Sequence, residues 1–468
     1  MVKDKISRQI ADALDPDYRN TNFEEVEQTF TKDQVMAEAS RCINCKKPKC
    51  IDGCPVHIDI PGFINAIKED DIEKAGRVIR ESSLLPSICG RVCPQERQCE
   101  ATCILGIKGT PVAIGALERY VGDLTDIEDS KIIPSGHKVA IIGSGPAGIT
   151  AAADLARAGH KVVMYEALHA LGGVLRYGIP EFRLPRNVLD RELDTLRKIG
   201  VELNTNVIVG KSITIKDLFE DGFEAIFIGA GAGLPWFMGI PGENLNGVYS
   251  ANEFLTRVNL MRANQFPEYP TPVRLGKRAM VVGGGNTAMD GARVAKRLGY
   301  EEVTIAYRRS EAEMPARKAE IEHAKEEGIN FLFLHSPIEV HGKDGQVIGT
   351  TLQVMELGEP DASGRRRPVP IKGKTIYKDI DTFVVAIGTS PNPLLTKSAK
   401  AEDLPLEVDR KGYLITEEET KQTTMKGIYA GGDISPTGDS NVINAMGAGK
   451  RAAQAITEYL KTLETAKA

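Results

Sequence analysis

Short apolar runs that end in glycine, each followed by a helical run, recur along the chain and predict strand–turn–helix units. Residues 138–148 read KVAIIGSGPAG, so an apolar run stops at Gly143 and an alanine-rich helical run follows. A second apolar run, KVVMYE at residues 161–166, ends on the acid Glu166. Strand, tight turn, helix, strand and acid follow one another in the order that a dinucleotide-binding fold requires.

Three glycines in this first turn form the pattern G-x-G-x-x-G. Gly143 permits the turn, Gly145 lets the backbone approach a pyrophosphate, and Gly148 lets helix and strand pack closely. The free N–H groups of the helix N-terminus suit phosphates, and the Glu166 carboxylate is placed to accept from a ribose hydroxyl. The predicted cofactor-binding residues of this unit are Gly143, Gly145, Pro146, Ala147, Gly148 and Glu166.

A second nucleotide motif occupies residues 278–290, RAMVVGGGNTAMD. It has the related pattern G-x-G-x-x-A, again after an apolar strand and before a helix that ends near Gly299. The motif predicts a second dinucleotide site. Its predicted binding residues are Gly283, Gly285, Asn286, Thr287 and Ala288.

The strand after this second motif, at residues 303–307, is followed by Arg308 and Arg309 rather than by an acid. A carboxylate there would repel a 2′-phosphate, whereas guanidinium groups pair with it bidentately. The arginines therefore favour NADP(H) over NAD(H). The alternative is that both are solvated side chains at a strand end, and for the basic run at residues 365–367 a solvated loop tip is the favoured interpretation.

Other apolar runs also end in glycine. Residues 223–233, FEAIFIGAGAG, and residues 381–392, DTFVVAIGTSPN with Gly388, predict buried strands whose ends approach a cofactor. Residues 331–380 predict strands and hairpin loops.

Near the C-terminus, residues 426–434 read KGIYAGGDI, and a helix is predicted from about Asn441. An apolar strand that runs into Gly432 and Asp433 before a helix places the carboxylate where it reaches the ribityl hydroxyls of a flavin. The helix N-terminus is then aimed at the ring, where negative charge develops on reduction.

Composition narrows the class of protein. The chain has 468 residues, of which 42% are hydrophobic and 26% charged, and a net charge of −5, which argues against a nucleic-acid binder. No apolar run approaches the roughly 18 residues of a membrane span. The charged N-terminus lacks the apolar core of a secretion signal, so a cytoplasmic protein is expected, and residues 1–35 are predicted to be a charged helical lead-in.

All eight cysteines lie in one short region near the N-terminus. Such clustering in a protein expected in the cytoplasm indicates metal rather than disulfides. Iron–sulfur clusters are favoured by the Cys-Pro ending of the first run and by the neighbouring nucleotide motifs, and zinc is the main rival. The two runs are Cys42-x2-Cys45-x4-Cys50-x3-Cys54-Pro55 and Cys89-x3-Cys93-x5-Cys99-x3-Cys103.

These motifs together resemble known families. GSGPAG with Glu166, GGGNTA with Arg308 and Arg309, and AGGD resemble the flavoproteins in which an FAD domain is split by an inserted NADP(H) domain. CINCKKPKCIDGCPVHIDIP with CGRVCPQERQC resembles the glutamate synthase small-subunit family, which includes the large subunit of NADH-dependent reduced ferredoxin:NADP⁺ oxidoreductase. The resemblance implies an α/β fold with two Rossmann-like domains after a small α-helical iron–sulfur domain.

The domain boundaries expected on this basis are the following. Residues 1–135 form the helical domain with two 4Fe–4S clusters, 136–250 the first part of the FAD domain, 251–375 the NADP(H) domain, and 376–468 the second part of the FAD domain. Residues 122–137 are expected to be the linker into the nucleotide fold.

The resemblance also implies how the cysteine runs interleave. One cluster would be held by Cys42, Cys45, Cys50 and Cys103. The other would be held by Cys54, Cys93, Cys99 and Glu118, the last from the segment IGALERY, which leaves Cys89 as a spare thiol or as the alternative eighth ligand. Residues implied to lie near the flavin are Gly173, Leu175, Gly178, Ile179, Arg183, Gly388, Gly432, Asp433, Asn441 and Ala445.

The implied activity is an oxidoreductase that exchanges hydride between NADP(H) and FAD and single electrons through two 4Fe–4S clusters, with no catalytic acid or base. The preferred partners are ferredoxin and a smaller FAD and 2Fe–2S subunit that uses NAD(H), which together would bifurcate electrons. The alternatives are a small subunit that feeds a large glutamate-forming subunit, and a structural iron–sulfur and flavin adaptor. Lys46, Lys47 and Lys49 would dock an acidic ferredoxin or only be solvated.

Overall fold

The computed structural model describes residues 6–126, 132–273, 276–404, 406–435 and 440–467. Residues 127–131 of the predicted linker lie outside this part of the chain. Within it, a layer of short helices precedes two parallel sheets, so the expected α/β class is confirmed.

The N-terminal region consists of helices. Asp59 caps one of them by accepting from the Gly62 N–H at 3.0 Å. Asp70, a residue at positive φ, follows its end and separates it from the next helix. The helices are α1 (Pro16–Arg19), α2 (Lys32–Arg41), α3 (Lys49–Asp52), α4 (Ile60–Lys68), α5 (Ile72–Arg80), α6 (Pro86–Val92) and α7 (Ile114–Leu124), with 3₁₀ turns at Gln95–Arg97 and Ile104–Ile107.

The predicted helical lead-in is wrong for most of its length. Between residues 6 and 31 the only helix of the described chain is the single turn α1. The segment is instead held by side chains: Arg19 is buried, and Arg8 pairs with Glu100 at 2.7 Å. Charge along a sequence does not distinguish a solvated helix from an extended segment whose arginines are buried in ion pairs.

The first nucleotide unit alternates strands and helices. Its elements are β1 (Lys138–Ile142), α8 (Pro146–Arg157), β2 (Lys161–Tyr165), α9 (Val174–Tyr177), α10 (Arg186–Lys198), β3 (Glu202–Asn204), α11 (Ile215–Glu220), β4 (Ala225–Ile228) and β5 (Leu234–Pro235).

The second nucleotide unit follows directly. It contains β6 (Val248–Ser250), α12 (Ala251–Asn259), a 3₁₀ turn at Ala263–Gln265, β7 (Arg278–Val282), α13 (Asn286–Arg297), β8 (Glu302–Tyr307), a 3₁₀ turn at Glu311–Glu313, α14 (Lys318–Glu326), β9 (Asn330–Phe333), β10 (His335–Lys343), β11 (Gln346–Pro360), β12 (Arg366–Asp379) and β13 (Thr382–Val385). The chain ends with β14 (Thr389–Ser390), α15 (Leu394–Ala401), β15 (Ile428–Ala430) and α16 (Val442–Lys467).

Both main sheets are parallel and five-stranded. The first has the order β15-β4-β1-β2-β3 and the second β6-β13-β7-β8-β9. Their central strands are buried along almost their whole length, as expected for parallel sheets covered by helices. The carboxyl ends of β1 and β7, where the glycine motifs lie, therefore face clefts at the edges of the two sheets.

One predicted boundary needs correction. The sequence analysis assigned residues from 376 onward to the FAD domain, but β13 pairs with β7 and β6 in the second sheet. An apolar run shows that a strand is buried without showing which sheet it joins. The chain returns to the first sheet only at β15, which pairs with β4, and the rest of the predicted division stays a prediction.

Candidate functional site

The first glycine turn is built for close approach of a ligand. Gly143 has φ +97°, and a Cβ there would lie 2.5 Å from the Gly229 carbonyl oxygen. A Cβ on Gly148 would lie 2.0 Å from the Gly143 carbonyl oxygen, so turn and helix pack in contact. At Gly145 an added Cβ would meet nothing within 4 Å, which leaves the open surface that a pyrophosphate needs beside a helix N-terminus.

The predicted ribose ligand, Glu166, also orders this turn. Its Oε2 accepts from the N–H and the hydroxyl of Ser144, at 2.9 and 2.5 Å. Its Oε1 accepts from the Leu168 N–H at 2.8 Å. The carboxylate is buried at the end of β2, the position that the motif predicts, and its contact with a ribose stays a prediction.

Two helix N-termini meet at the second predicted flavin motif. A Cβ on Gly432 would lie 3.0 Å from the Ala147 Cβ of α8 and 3.5 Å from the Ala445 Cβ of α16. Asn441 caps α16 by accepting from the Asn444 N–H at 3.0 Å. The structure thus brings the first and last predicted FAD segments together, although they are separated by nearly 300 residues of sequence.

The sequence analysis missed a tyrosine in this cleft. Burial raises the pKa of Tyr177 to about 12, and the charges of Asp433 and then Glu166 act in the same direction. Burial also raises the pKa of Asp433, against a hydrogen bond from Ser440. Tyr177 is therefore near enough to both carboxylates expected to bind FAD for their charges to raise its pKa, and no motif in the sequence pointed to it.

The loop after Glu166 folds over the first glycine turn. A Cβ on Gly173 would lie 2.9 Å from the Gly145 Cα, and the loop contains the short helix α9, which the sequence analysis did not expect. Arg186 holds it by donating to the carbonyls of Leu175 and Ile179, at 3.1 and 2.8 Å. The predicted residues Gly173, Leu175, Gly178 and Ile179 are therefore grouped beside the turn.

Arg183 does not fit the role predicted for it. Its guanidinium is buried and donates to both oxygens of Asp290 on α13, at 2.9 and 2.7 Å, and it pairs with Glu320 on α14 at 3.0 Å. It is thus bound to the second nucleotide unit rather than directed at a flavin. The resemblance implied a place near the flavin ring, but the charge of Arg183 is compensated across the boundary between the two units.

The second glycine turn has the same construction as the first. A Cβ on Gly283, at φ +146°, would lie 2.3 Å from the Ala386 carbonyl oxygen, whereas one on Gly285 would meet only Pro315 at 3.9 Å. Ala288 is fully buried and Thr287 is exposed at the helix start. Gly285 thus leaves open the approach to a second dinucleotide.

The two arginines after β8 have different surroundings. Arg309 is buried and donates to Asp361 Oδ2 and to the Arg366 carbonyl, both at 2.7 Å. Arg308 is exposed and forms no hydrogen bond or ion pair within the described residues. The predicted 2′-phosphate contact therefore remains open to Arg308, while the Arg309 guanidinium is already engaged. Gly388, the other predicted cofactor-binding glycine, lies beside Trp236, and a Cβ added there would be 3.9 Å from that side chain.

Four cysteines surround one surface cavity. Cys42, Cys45, Cys50 and Cys103 line a space of about 180 Å³ together with apolar side chains. Burial raises the pKa of Cys50 to about 11, and the charges of Cys42 and Cys103 add to it. A zinc ion would draw four thiolates to about 2.3 Å from one point. A 4Fe–4S cluster also takes four thiolates, so the four cysteines around this cavity can hold either group.

The other four predicted ligands form a second group. Burial raises the pKa of Cys54 to about 11, with Glu118 the next charge to raise it. A hydrogen bond with Cys89 lowers the pKa of Cys93, but burial and then the charge of Glu118 raise it further. Burial raises the pKa of Cys99, and the charges of Glu100 and then Glu118 add to it. Glu118 itself has a pKa raised to about 8 by burial and by Glu192, and its Oε1 has no hydrogen-bond partner among the described residues. A buried carboxylate oxygen left open between three thiols fits a fourth ligand.

Cys89 lies behind this group. It is fully buried, its Sγ is 3.5 Å from the Met446 Sδ, and a hydrogen bond with Cys93 raises its pKa more than any other cause. The structure thus places Cys89 beside Cys93 and Glu118 near the three predicted thiol ligands. The choice between Glu118 and Cys89 as the eighth ligand stays a prediction.

The second cysteine group packs against α16, the helix that begins beside Gly432. Met446, which contacts Cys89, is in the first turn and a half of α16, and a Cβ on Gly447 would lie 2.8 Å from the Pro55 carbonyl next to Cys54. This helix therefore contacts both the second cysteine group and the glycine segment at Gly432. The cavity lined by Cys42 lies at the surface.

Family models match almost the whole chain. Residues 19–130 match dihydropyrimidine dehydrogenase domain II, 4Fe-4S cluster, and residues 137–453 match pyridine nucleotide-disulphide oxidoreductase. The first match covers both cysteine groups and the second covers both glycine turns.

Curated relatives and solved structures agree with these models. The chain is 37% identical over 457 residues to the glutamate synthase [NADPH] small chain of Escherichia coli, covering 95% of each protein. It is 38% identical to the putative oxidoreductase AegA of the same organism, covering 96% of this chain and 69% of that protein. Mycobacterium tuberculosis FprA in complex with NADPH has the same fold, with TM-score 0.59, 21% identity, and coverage of 72% of this chain and 86% of that one.

Proposed function

The chain belongs to the glutamate synthase small-chain family of NADP-dependent iron–sulfur flavoprotein oxidoreductases, and we propose that it is the electron-exchanging subunit of a larger complex. In that complex it exchanges hydride with NADP(H) and single electrons with ferredoxin and with a partner flavin subunit that uses NAD(H). Electron bifurcation between those two acceptors is part of the proposal.

One observation carries the proposal: the second cysteine group lies against α16, whose N-terminus opens beside Gly432 in the predicted FAD cleft. When bound, a flavin accepts electrons in pairs and releases them singly, and each 4Fe–4S cluster carries one. Direct contact between the two sites supplies the short separation that such an exchange requires. Cofactors held only for structure would need no such contact.

The residues at the two glycine turns bind and orient the two dinucleotides. Gly145 and Gly285 give each pyrophosphate access to a helix N-terminus. Arg308 pairs with the 2′-phosphate and so selects NADP(H) over NAD(H). Asp433 accepts from ribityl hydroxyls.

The rim of the first cysteine cavity is suited to a small redox protein. Ile43, Ile104 and Ile107 are all more than half exposed there. Exposed Lys46, Lys47 and Lys49 surround this apolar centre, although Lys49 also pairs with Asp52 at 3.1 Å. An apolar centre with a basic rim fits the acidic surface of a ferredoxin. Reversing the charge of Lys46 and Lys47 is expected to slow ferredoxin reduction and flatten its salt dependence; unchanged salt dependence would remove this docking site.

The second candidate is electron delivery to a large glutamate-forming subunit. It is favoured by the similarity to the Escherichia coli glutamate synthase small chain, which covers 95% of both proteins. Both candidates use the same sites and differ in the partner.

Native mass spectrometry of the complex, purified anaerobically from its source, separates these candidates. A small partner with flavin and 2Fe–2S would support the bifurcating complex, and a large FMN-containing amidotransferase would support the second candidate. The chain alone, with FAD and both clusters, would contradict either assembly. A structural adaptor would instead retain FAD that NADPH reduces poorly.

A further inference from the structure

Residues 314–317, Met-Pro-Ala-Arg, connect the second nucleotide turn to the cysteine domain, and we term them the bridge. On the nucleotide side, the Ala316 N–H donates to the Gly284 carbonyl at 3.1 Å. The Arg317 N–H donates to Asn286 Oδ1 at 2.8 Å. The bridge is therefore bonded to the first residue of the helix that receives the pyrophosphate.

On the opposite side the bridge is bonded to the cysteine domain. The Arg317 guanidinium donates to the Arg91 carbonyl at 2.9 Å and to Gln95 Oε1 at 3.0 Å. Arg97 donates back to the Ala316 carbonyl at 3.3 Å. Three hydrogen bonds thus fix residues 91–97, which include the cluster ligand Cys93, to the bridge.

Gln95 extends this connection to the second cysteine group. It is buried, and its Nε2 donates to the carbonyls of Cys89 and Gly90, at 3.2 and 3.0 Å. Its side chain also packs on α7, because a Cβ on Gly115 would lie 2.3 Å from Gln95 Nε2. Glu118 is one turn further along α7. One amide therefore contacts two of the backbone segments that carry ligands of this group, the segment that leads to Cys93 and helix α7 with Glu118.

We propose that Arg317 and Gln95 are positioning residues that couple nucleotide binding at Asn286 to the redox properties of the second cluster. The inference rests on the proposed function, because it takes that turn as the NADP(H) site and Cys93 and Glu118 as ligands. A phosphate that binds at the helix N-terminus changes the position of Asn286, and the bridge transmits the change to Gln95. The orientation of backbone dipoles around the cluster, and hence its potential, then depends on whether nucleotide is bound.

The surroundings leave room for two arrangements of these side chains. A polar cavity of about 90 Å³ lies beside them and is lined by Gln95, Glu100, Gly115 and Arg317 among others. The Arg317 Nε has no hydrogen-bond partner among the described residues, and the nearest carboxylate oxygen, from Glu96, is 3.6 Å away. A displaced Arg317 therefore has space and an unused donor.

The test is a potentiometric titration of the anaerobic holoprotein, with EPR of both clusters, with and without 2′-phospho-ADP-ribose, which lacks the redox-active nicotinamide. The expected result is a shift of the second cluster's potential but not the first. By linkage, a tenfold difference in nucleotide affinity between the two cluster states corresponds to about 59 mV for a one-electron couple. Nucleotide affinity and iron content are measured on the same sample.

The variant R317M removes the hydrogen bonds from the Arg317 guanidinium to the cysteine domain, and Q95M removes those of the Gln95 amide. Both keep the hydrogen bond from the Arg317 N–H to Asn286. Both are expected to bind the nucleotide within about threefold of wild type and to lose most of the potential shift, since these bonds transmit it. The control is R157M, which removes another arginine-to-carbonyl contact with the cysteine domain, to Arg80 at 3.2 Å, away from the bridge. It is expected to retain the shift. If R317M does not fold, Q95M, which keeps Arg317 and removes its bond to Gln95, provides the comparison with R157M.

Two results would overturn the inference while leaving the proposed function intact. One is a wild-type protein that binds the nucleotide without a change in the second cluster's potential. The other is a full shift in both R317M and Q95M. Failure of the wild-type holoprotein to bind 2′-phospho-ADP-ribose would contradict the proposed NADP(H) site and, with it, the inference.

Discussion

Glu327, at the end of α14, is the centre of a buried ion network that fixes the second nucleotide unit to the rest of the chain. Its Oε1 accepts from Arg19 at 2.9 Å and from Arg293 at 2.8 Å, and its Oε2 accepts from Arg297 at 2.8 Å. The three arginine side chains are at most 1% exposed, and that of Glu327 is 0% exposed. The variant E327Q keeps the shape and removes the charge. Arg19 then retains its pair with Glu326 and Arg293 its pair with Glu320, whereas Arg297 loses the one carboxylate it pairs with among the described residues.

The structure gives the size of the effect in two ways. Burial alone would raise the pKa of Glu327, but hydrogen bonds from Arg297 and Arg293 lower it from 4.5 to about 2. Because the folded-state pKa is the lower one, this stabilisation is present above about pH 5 and is lost as the pH falls toward 2. A shift of this size corresponds to about 3 kcal/mol at pH 7. Leaving buried arginines uncompensated costs about 3–5 kcal/mol, which agrees.

Urea unfolding at pH 7, followed by circular dichroism, measures this loss. With a slope of about 2–3 kcal/mol per molar for a unit of this size, E327Q is expected to lower the midpoint by about 1–2 M. The matched control is E326Q, because Glu326 also pairs with Arg19 but its side chain is 51% exposed. The control is expected to cost less than about 0.5 kcal/mol. Equal midpoints for the two variants would refute the argument that the buried network supplies this stability.

Three further predictions concern the cofactor sites. E118A is expected to abolish the EPR signal of the second cluster and to spare the first, with E118C restoring it; an unchanged pair of signals would assign the eighth ligand to Cys89. R308A is expected to raise the Kd for NADPH, measured by calorimetry, about 10–100-fold with little change for NADH, since a charge-assisted hydrogen bond contributes about 1.5–3 kcal/mol. C45S is expected to lose the first cluster while NADPH still bleaches the flavin. A loss of flavin reduction would contradict the proposed order of electron transfer, in which the second cluster lies between the flavin and the first cluster.

The local parts of the site could be predicted from the sequence. The glycine turns follow from spacing, because φ above zero at Gly143 and Gly283 and open space at Gly145 and Gly285 are properties of a few neighbouring residues. The position of Glu166 after β2 follows from the same motif. The confirmed fold, a helical iron–sulfur domain before a two-dinucleotide flavoprotein, was expected from these turns together with the cysteine runs.

What the sequence could not show depends on distant partners. Arg183 is bound to Asp290, more than 100 residues away, so its neighbours in sequence gave the wrong environment. Arg309 is likewise engaged by Asp361, which left Arg308 as the available guanidinium. Arg317 gave no signal at all, because a single arginine before a helix has no motif. These contacts form between units and depend on the packing of the whole chain.

Oxidation of the reduced clusters by NADP⁺ can be followed directly by mixing the dithionite-reduced holoprotein, freed of excess reductant, with NADP⁺ under anaerobic conditions. We expect that NADPH forms, that at least one cluster EPR signal disappears as it does, and that R308A slows the reaction at low NADP⁺. Clusters that stay reduced while NADP⁺ is bound would show that the nucleotide, flavin and iron–sulfur sites do not form one electron-transfer chain.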